Sequence, residues 1–179
     1  MTDWVTELPW LIPGCLLALA VSILASGWVA RWLGCSRPVA WLLLMSLGVI
    51  LSGTLTPLAV GGALERSHPG TCDLSRVGLP SLLELLSPGD ALGNILMFVP
   101  LGFAIAVLPR SRRKAAVLAC ALALPFAIET TQLLVIPLGR ACESADVVDN
   151  LTGLVIGLAA GALVSGLAQR TGRTPGPEA

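Results

Sequence analysis

Long apolar runs alternate with short polar joints along this chain, and five of the runs are long enough to cross a bilayer. They lie at 8–30, 39–60, 91–108, 115–136 and 147–167. A hydrocarbon core of about 30 Å takes roughly 20 apolar residues in a helix. With no water in that core, each run must satisfy its own backbone, which selects the helix. The third run is the shortest. The pattern predicts an all-α fold, a polytopic transmembrane bundle of about five helices.

The polar residues divide the chain. Residues 1–60 read as a two-helix apolar scaffold with no ionisable residue in the middle of either run. Residues 61–90 hold the longest polar stretch, an extracytoplasmic loop in the orientation below. Within it Leu82, Leu83, Leu85 and Leu86 flank Glu84, a short amphipathic pattern suited to a membrane surface. Residues 87–168 form a three-helix core, and 169–179 a disordered cytoplasmic tail. Trp4 and Trp10 stand at one end of the first run and Trp28 and Trp32 at the other. Indole rings favour the headgroup zone, so they mark its borders.

Composition agrees with the pattern. Hydrophobic residues make up 55% of the chain and charged residues 12%, with mean hydropathy +0.84. This is the class of integral membrane proteins. The formal net charge is zero, which gives nucleic acid no electrostatic footprint. The flank of the first run, MTDWVTE, is acidic and has no Lys or Arg. A secretory signal has a basic flank, so a retained helix is expected.

Basic residues set the expected orientation. With the amino terminus outside, Arg31, Arg37, Arg110, Arg112, Arg113, Lys114, Arg170 and Arg173 lie inside. Arg66, Arg76 and Arg140 then lie outside. Cytoplasmic loops carry the excess of Lys and Arg, so the expectation is N-out, C-in.

Charge inside the apolar runs is rare, which gives each instance weight. A carboxylate at the centre of a membrane helix costs roughly 3 kcal/mol on insertion scales. Asp90 and Asn94 are four apart at the start of the third run, and share a face. Glu129 and Gln132 are three apart near the end of the fourth. Asp146, Asp149 and Asn150 open the fifth, and Gly153, Gly157 and Gly161 continue that face as a GxxxGxxxG track. Small residues let helix backbones meet in lipid, so the acidic face is also the packing face. Arg140 sits in the short joint between the fourth and fifth runs. All of these residues fall near one boundary of the bundle.

Three readings of this cluster stay open: a polar network that pins helices together, a pocket for a substrate or headgroup, or a cation site of oxygen ligands. The pocket reading expects Glu129, Arg140 and Asp149 to connect with Asn94 and Gln132. Arg140 would then fold over the mouth and offer its guanidinium to a carboxylate or a phosphate. No GxSxG, HExxH, CxxC or P-loop pattern occurs, so no cofactor or metal is expected. The single His68 reads as a solvated loop residue. Cys72 and Cys142 both fall in outer joints, where an oxidising compartment permits a disulfide.

Two stretches, GDALGNILMFVPLGF and AIETTQLLVIPLGRACESADVVDNLTGLVIG, resemble the VanZ-like family of bacterial membrane proteins. The likeness rests on Asn94 with the FVPLG run, Glu129 with Gln132, and Gly139–Arg140. It continues through Asp146, Asp149–Asn150, Gly153 and Gly157, and covers residues 87–161. It implies a multi-pass protein of the bacterial plasma membrane. The founding member of that family is linked to low-level teicoplanin resistance. A non-enzymatic envelope protein is therefore expected, with an outward polar pocket for a cell-wall lipid headgroup, a cell-wall precursor or a glycopeptide. Its ligand-binding residues would be Asp90, Asn94, Glu129, Gln132, Arg140, Asp146, Asp149 and Asn150. A membrane-embedded hydrolase or transferase on a lipid-linked substrate is one rival, with Glu129 and Asp149 as acid and base. A purely structural partner protein is the other.

Overall fold

Polar side chains turn inward and apolar ones outward, the reverse of a soluble domain. Ser22, Ser26, Ser46, Ser52, Thr54, Asn94, Glu129, Gln132, Asp149 and Asn150 are buried, while Leu16, Leu17, Leu24, Trp28, Leu134 and Leu163 are exposed. A surface facing hydrocarbon gains nothing by hiding leucine, and a polar atom facing it goes unpaired. The computed structural model describes residues 9–58, 71–86 and 90–171. His68 and the expected tail beyond residue 171 lie outside these, as does most of the loop before residue 71.

The helices are α1 Leu11–Leu33, α2 Arg37–Thr54, α3 Leu82–Leu86, α4 Asp90–Val107, α5 Arg112–Leu134 and α6 Ser144–Thr171. Among the described residues, four are long and apolar enough to cross a membrane: α1, α2, α5 and the Ser144–Ala168 part of α6. The third expected run becomes α4, whose apolar part Ala91–Val107 is shorter. Its 18 residues measure about 27 Å, just under the hydrocarbon thickness. The fold is all-α, as the apolar pattern predicts. Helix ends sit a few residues from the expected borders because caps, not hydropathy, decide them. Gly34 ends α1 in the left-handed region at φ 69°, its N–H on the Ala30 carbonyl. Ser111 caps α5 by accepting from the Lys114 N–H at 3.1 Å.

The most extensive helix pairing joins α4 to α6. They run parallel, with Gly153 against Ile95, Gly157 against Val99 and Gly161 against Phe103. A Cβ at Gly153 or Gly157 would strike the carbonyl oxygen of Ile95 or Val99, and one at Gly102 that of Leu154. The track therefore serves backbone-to-backbone contact. A core of Ile50, Phe98, Leu101, Ile105, Ala121, Ile128 and Leu154 draws α2 and α5 onto that pair. The scaffold helices α1 and α2 meet through Gly14 on Ser52 and Gly48 on Ala18. Their hydroxyls bond within their own helices, Ser22 to the Ala18 carbonyl and Ser52 to that of Gly48.

Candidate functional site

Two short extended segments lie over one end of the bundle. β1 Cys72–Asp73 pairs in parallel with β2 Cys142–Glu143, and Cys72 is disulfide-bonded to Cys142 across that pair. The bridge ties residues 70 apart in sequence, so the loop 71–81 is held against the α5–α6 joint. Below it stands α3, whose start is a reciprocal box. The Ser81 N–H donates to Glu84 Oε2 at 2.6 Å, and the Glu84 N–H to Ser81 Oγ at 3.3 Å. Hydrogen bonding from the Ser81 side chain, and then from its N–H, holds the Glu84 carboxyl below its ordinary pKa.

The tether delivers Arg76 into the bundle. Its guanidinium grips Asp149 with two bonds, Nη1 to Oδ1 at 3.1 Å and Nη2 to Oδ2 at 2.5 Å. Asp149 is 0% exposed. Arg76 also donates to the Gly78 carbonyl at 3.0 Å, stands 3.6 Å from Glu84 Oε1, and receives Ser144 Oγ on its own carbonyl at 2.8 Å. The hydrogen bonds to Asp149 are the main cause that raises the Arg76 pKa; the charges of Asp149, Glu84 and Asp146 add to it against burial. Arg76 therefore stays cationic throughout the physiological range. A forked guanidinium on a carboxylate is the strong form of such a bond, and it neutralises a charge that lipid would not tolerate.

Arg140 does different work. Its Nε donates to the Thr56 carbonyl at 3.0 Å, just past the end of α2. The expected arginine beside Asp149 is thus Arg76. Arg140 sits on the far side of the joint, where η1 (Ile136–Leu138, a 3-10 turn) and Gly139 at φ 63° direct it toward α2. Next to it the Leu58 N–H bonds the Leu138 carbonyl at 3.1 Å.

Glu129 is 5% exposed, and its Oε2 accepts the Glu143 N–H of β2 at 2.8 Å. Gln132 donates from Nε2 to the Thr54 carbonyl at 3.0 Å, closing a helix end that has no further turn to bond. Glu129 and Asp149 are therefore linked through one segment. Glu143 holds the first, and the neighbouring Ser144 holds Arg76, which holds the second.

The remaining residues read from the sequence gather at the same end. Asp146 is half-buried in the first turn of α6, and Asp90 is the first residue of α4, described by its backbone alone. Asn94 is buried one turn into α4, beside the contact of Ile95 with Gly153. Asn150, 1% exposed, stands one turn before that contact on α6. Three buried amide atoms in this region, Asn94 Nδ2, Gln132 Oε1 and Asn150 Oδ1, make no hydrogen bond to protein. Leaving such an atom unmade costs about 1–3 kcal/mol, so each is a place where a ligand or water gains a bond.

Sequence reasoning overlooked Arg76 as a functional residue. Its one available signal was Cys72, four residues earlier, since a cross-link there carries whatever follows to the α5–α6 joint. The oxygens of Thr54 and Thr56 were also overlooked, because backbone acceptors leave no trace in residue type.

Compared with known proteins, the chain matches one family over most of its length, whereas no curated protein and no solved structure matches it. The match takes in the two scaffold helices as well as the three that carry the polar cluster. An all-helical, multi-pass membrane architecture and this match lead to one conclusion: the chain belongs to the VanZ/LLP1 family, whose pattern it follows over residues 8–165.

Proposed function

We propose that this chain is a non-enzymatic protein of the bacterial plasma membrane whose polar end faces outward and binds a cell-wall lipid headgroup or a glycopeptide. One observation carries the reading. Asn94, Gln132 and Asn150 keep buried amide atoms without a protein partner, beside an acid already neutralised by Arg76. A donor and two acceptors, with the charge satisfied, suit a ligand rich in amides and hydroxyls. Saccharide–peptide headgroups of cell-wall precursors have that chemistry. The family match supports the same setting, since the founding member of the VanZ-like family is linked to low-level teicoplanin resistance.

A deletion strain complemented with the wild-type chain or with Asn150→Leu, an apolar residue of similar size, tests the proposal. Teicoplanin susceptibility is measured alongside the amount of protein in the membrane. The expected result is protection by the wild type and its loss in the variant at equal protein level. Equal susceptibility with and without the wild-type chain would rule out the resistance role. Native mass spectrometry of the purified protein then asks whether a lipid-linked precursor is retained, and absence of any such lipid would remove the headgroup site.

A further inference from the structure

The opposite end of the bundle holds an opening, remote from the polar cluster. It measures about 510 Å³, and its walls include Arg110, Lys114, Leu158, Ala162, Ser165 and Gly166. That volume lies within the range of small-molecule sites, roughly 300–1,000 Å³. Its origin is steric. The glycine track locks α6 to α4 as far as Gly161, after which α4 ends and the chain leaves through Pro109 towards α5. Beyond that point α6 offers only Ala162, Ser165 and Gly166, and a Cβ on Gly166 would meet nothing within 4 Å. The Ser165 hydroxyl is turned away, onto the Gly161 carbonyl at 2.8 Å.

Charge is arranged around this space. Lys114 Nζ is anchored by the Ala106 carbonyl at 2.6 Å and the Leu108 carbonyl at 3.0 Å, which fixes an ammonium at the wall with a third proton to give. Arg110 is exposed and lines the same opening. Arg113 lies over the Trp32 ring, 5.6 Å from its centre, and donates to the Trp32 carbonyl. Trp28 and Trp32 are exposed at this end, as rings at headgroup depth are. Leu163 and Leu167 are exposed on the neighbouring face of α6, level with the opening. An apolar strip thus flanks a polar, cationic cup.

We infer that this cup binds the phosphate of an anionic phospholipid from the adjoining leaflet, with Arg110 and Lys114 on the phosphate and the acyl chains along Leu167 and Leu163. Basic pockets between membrane helices are suited to such headgroups, and each Lys or Arg near the surface contributes attraction that salt weakens. Two cations, Lys114 anchored and Arg110 at the rim, with no carboxylate among the lining residues, complement a phosphodiester. The small residues of α6 make the space that a headgroup needs.

The test uses the full chain, purified and equilibrated with mixed vesicles of phosphatidylglycerol and phosphatidylcholine, with bound lipid read by native mass spectrometry. The wild type should retain phosphatidylglycerol in preference to phosphatidylcholine. Arg110→Gln should weaken that retention about fivefold. Gly166→Leu fills the cup without touching a charge and should abolish it. Equal retention by Gly166→Leu and wild type would reduce the effect to a basic surface and overturn the site. Displacement of the lipid by millimolar inorganic phosphate would assign the cup to a free anion, also against the inference. Should a variant fail to fold, a diazirine-bearing phosphatidylglycerol and the wild-type chain suffice. Cross-links must then map to residues 106–114 and 158–167, and cross-links confined elsewhere would defeat the proposal.

Discussion

The two ends of this bundle handle charge in opposite ways. At one end Asp149 and Glu129 are buried and held by partners that arrive from distant parts of the chain, Arg76 and the Glu143 amide. At the other end Arg110, Arg112 and Arg113 stay exposed, and Lys114 is satisfied by carbonyls within eight residues of itself. The difference follows from desolvation. A charge in the headgroup zone keeps its water and needs no tertiary partner, whereas a carboxylate behind two helices must be paired by protein. The acidic end therefore required a disulfide, a strand pair and a loop to assemble it. The basic end holds Lys114 by sequence-local bonds and adds one long-range contact, Arg113 on Trp32.

The largest test exchanges the ends. A cytoplasmic reporter fused after Lys114 should be active, and an external reporter fused near Thr71 should be active too, following the excess of basic residues at the first site. The opposite pair of signals would turn the polar cluster toward the cytoplasm and break the proposed role with it.

Next in size is the ion pair. Arg76→Ala leaves the buried Asp149 carboxyl without its partner, a loss of about 3–5 kcal/mol. Arg112→Ala at the exposed end should cost no more than about 0.5 kcal/mol. Denaturant or thermal unfolding in a fixed detergent compares the two, and similar losses would erase the contrast. The double change Arg76→Ala with Asp149→Leu should recover part of the first loss, since no lone charge remains.

Reduction of Cys72–Cys142 should come third. A cross-link over this separation contributes up to about 4 kcal/mol in the chain-entropy model, less whatever loop order survives without it. Because the bridge positions Arg76, the effect of Cys72→Ser and that of Arg76→Ala should be less than additive. Full additivity in a double-mutant cycle would separate the tether from the ion pair. Gly157→Ala comes fourth, at about 1–3 kcal/mol from forcing α6 off the Val99 carbonyl. Gly78→Ala, in open space with nothing near its Cβ, serves as the neutral control.

Much of the architecture was legible before any coordinates. Apolar runs longer than a bilayer is thick have one backbone solution, so the all-α bundle follows from hydropathy alone. The GxxxGxxxG spacing announced a close packing face, because only glycine leaves room for another helix's backbone. What it could not announce was the partner. The track lies against α4, where the register of Ile95, Val99 and Phe103 fits it.

The cluster of polar residues at one depth was likewise readable, since each was an isolated acid or amide in an apolar run. Their pairing was decided by the tertiary structure. Arg76 and Asp149 stand 73 residues apart, and nothing in the local pattern of either names the other. Arg140 was the nearer cation in sequence, but the 3-10 turn and Gly139 carry it to the Thr56 carbonyl instead. Hydropathy is a property of one segment and survives reading segment by segment. A salt bridge is a property of two surfaces brought together by a fold, and only the fold can assign it.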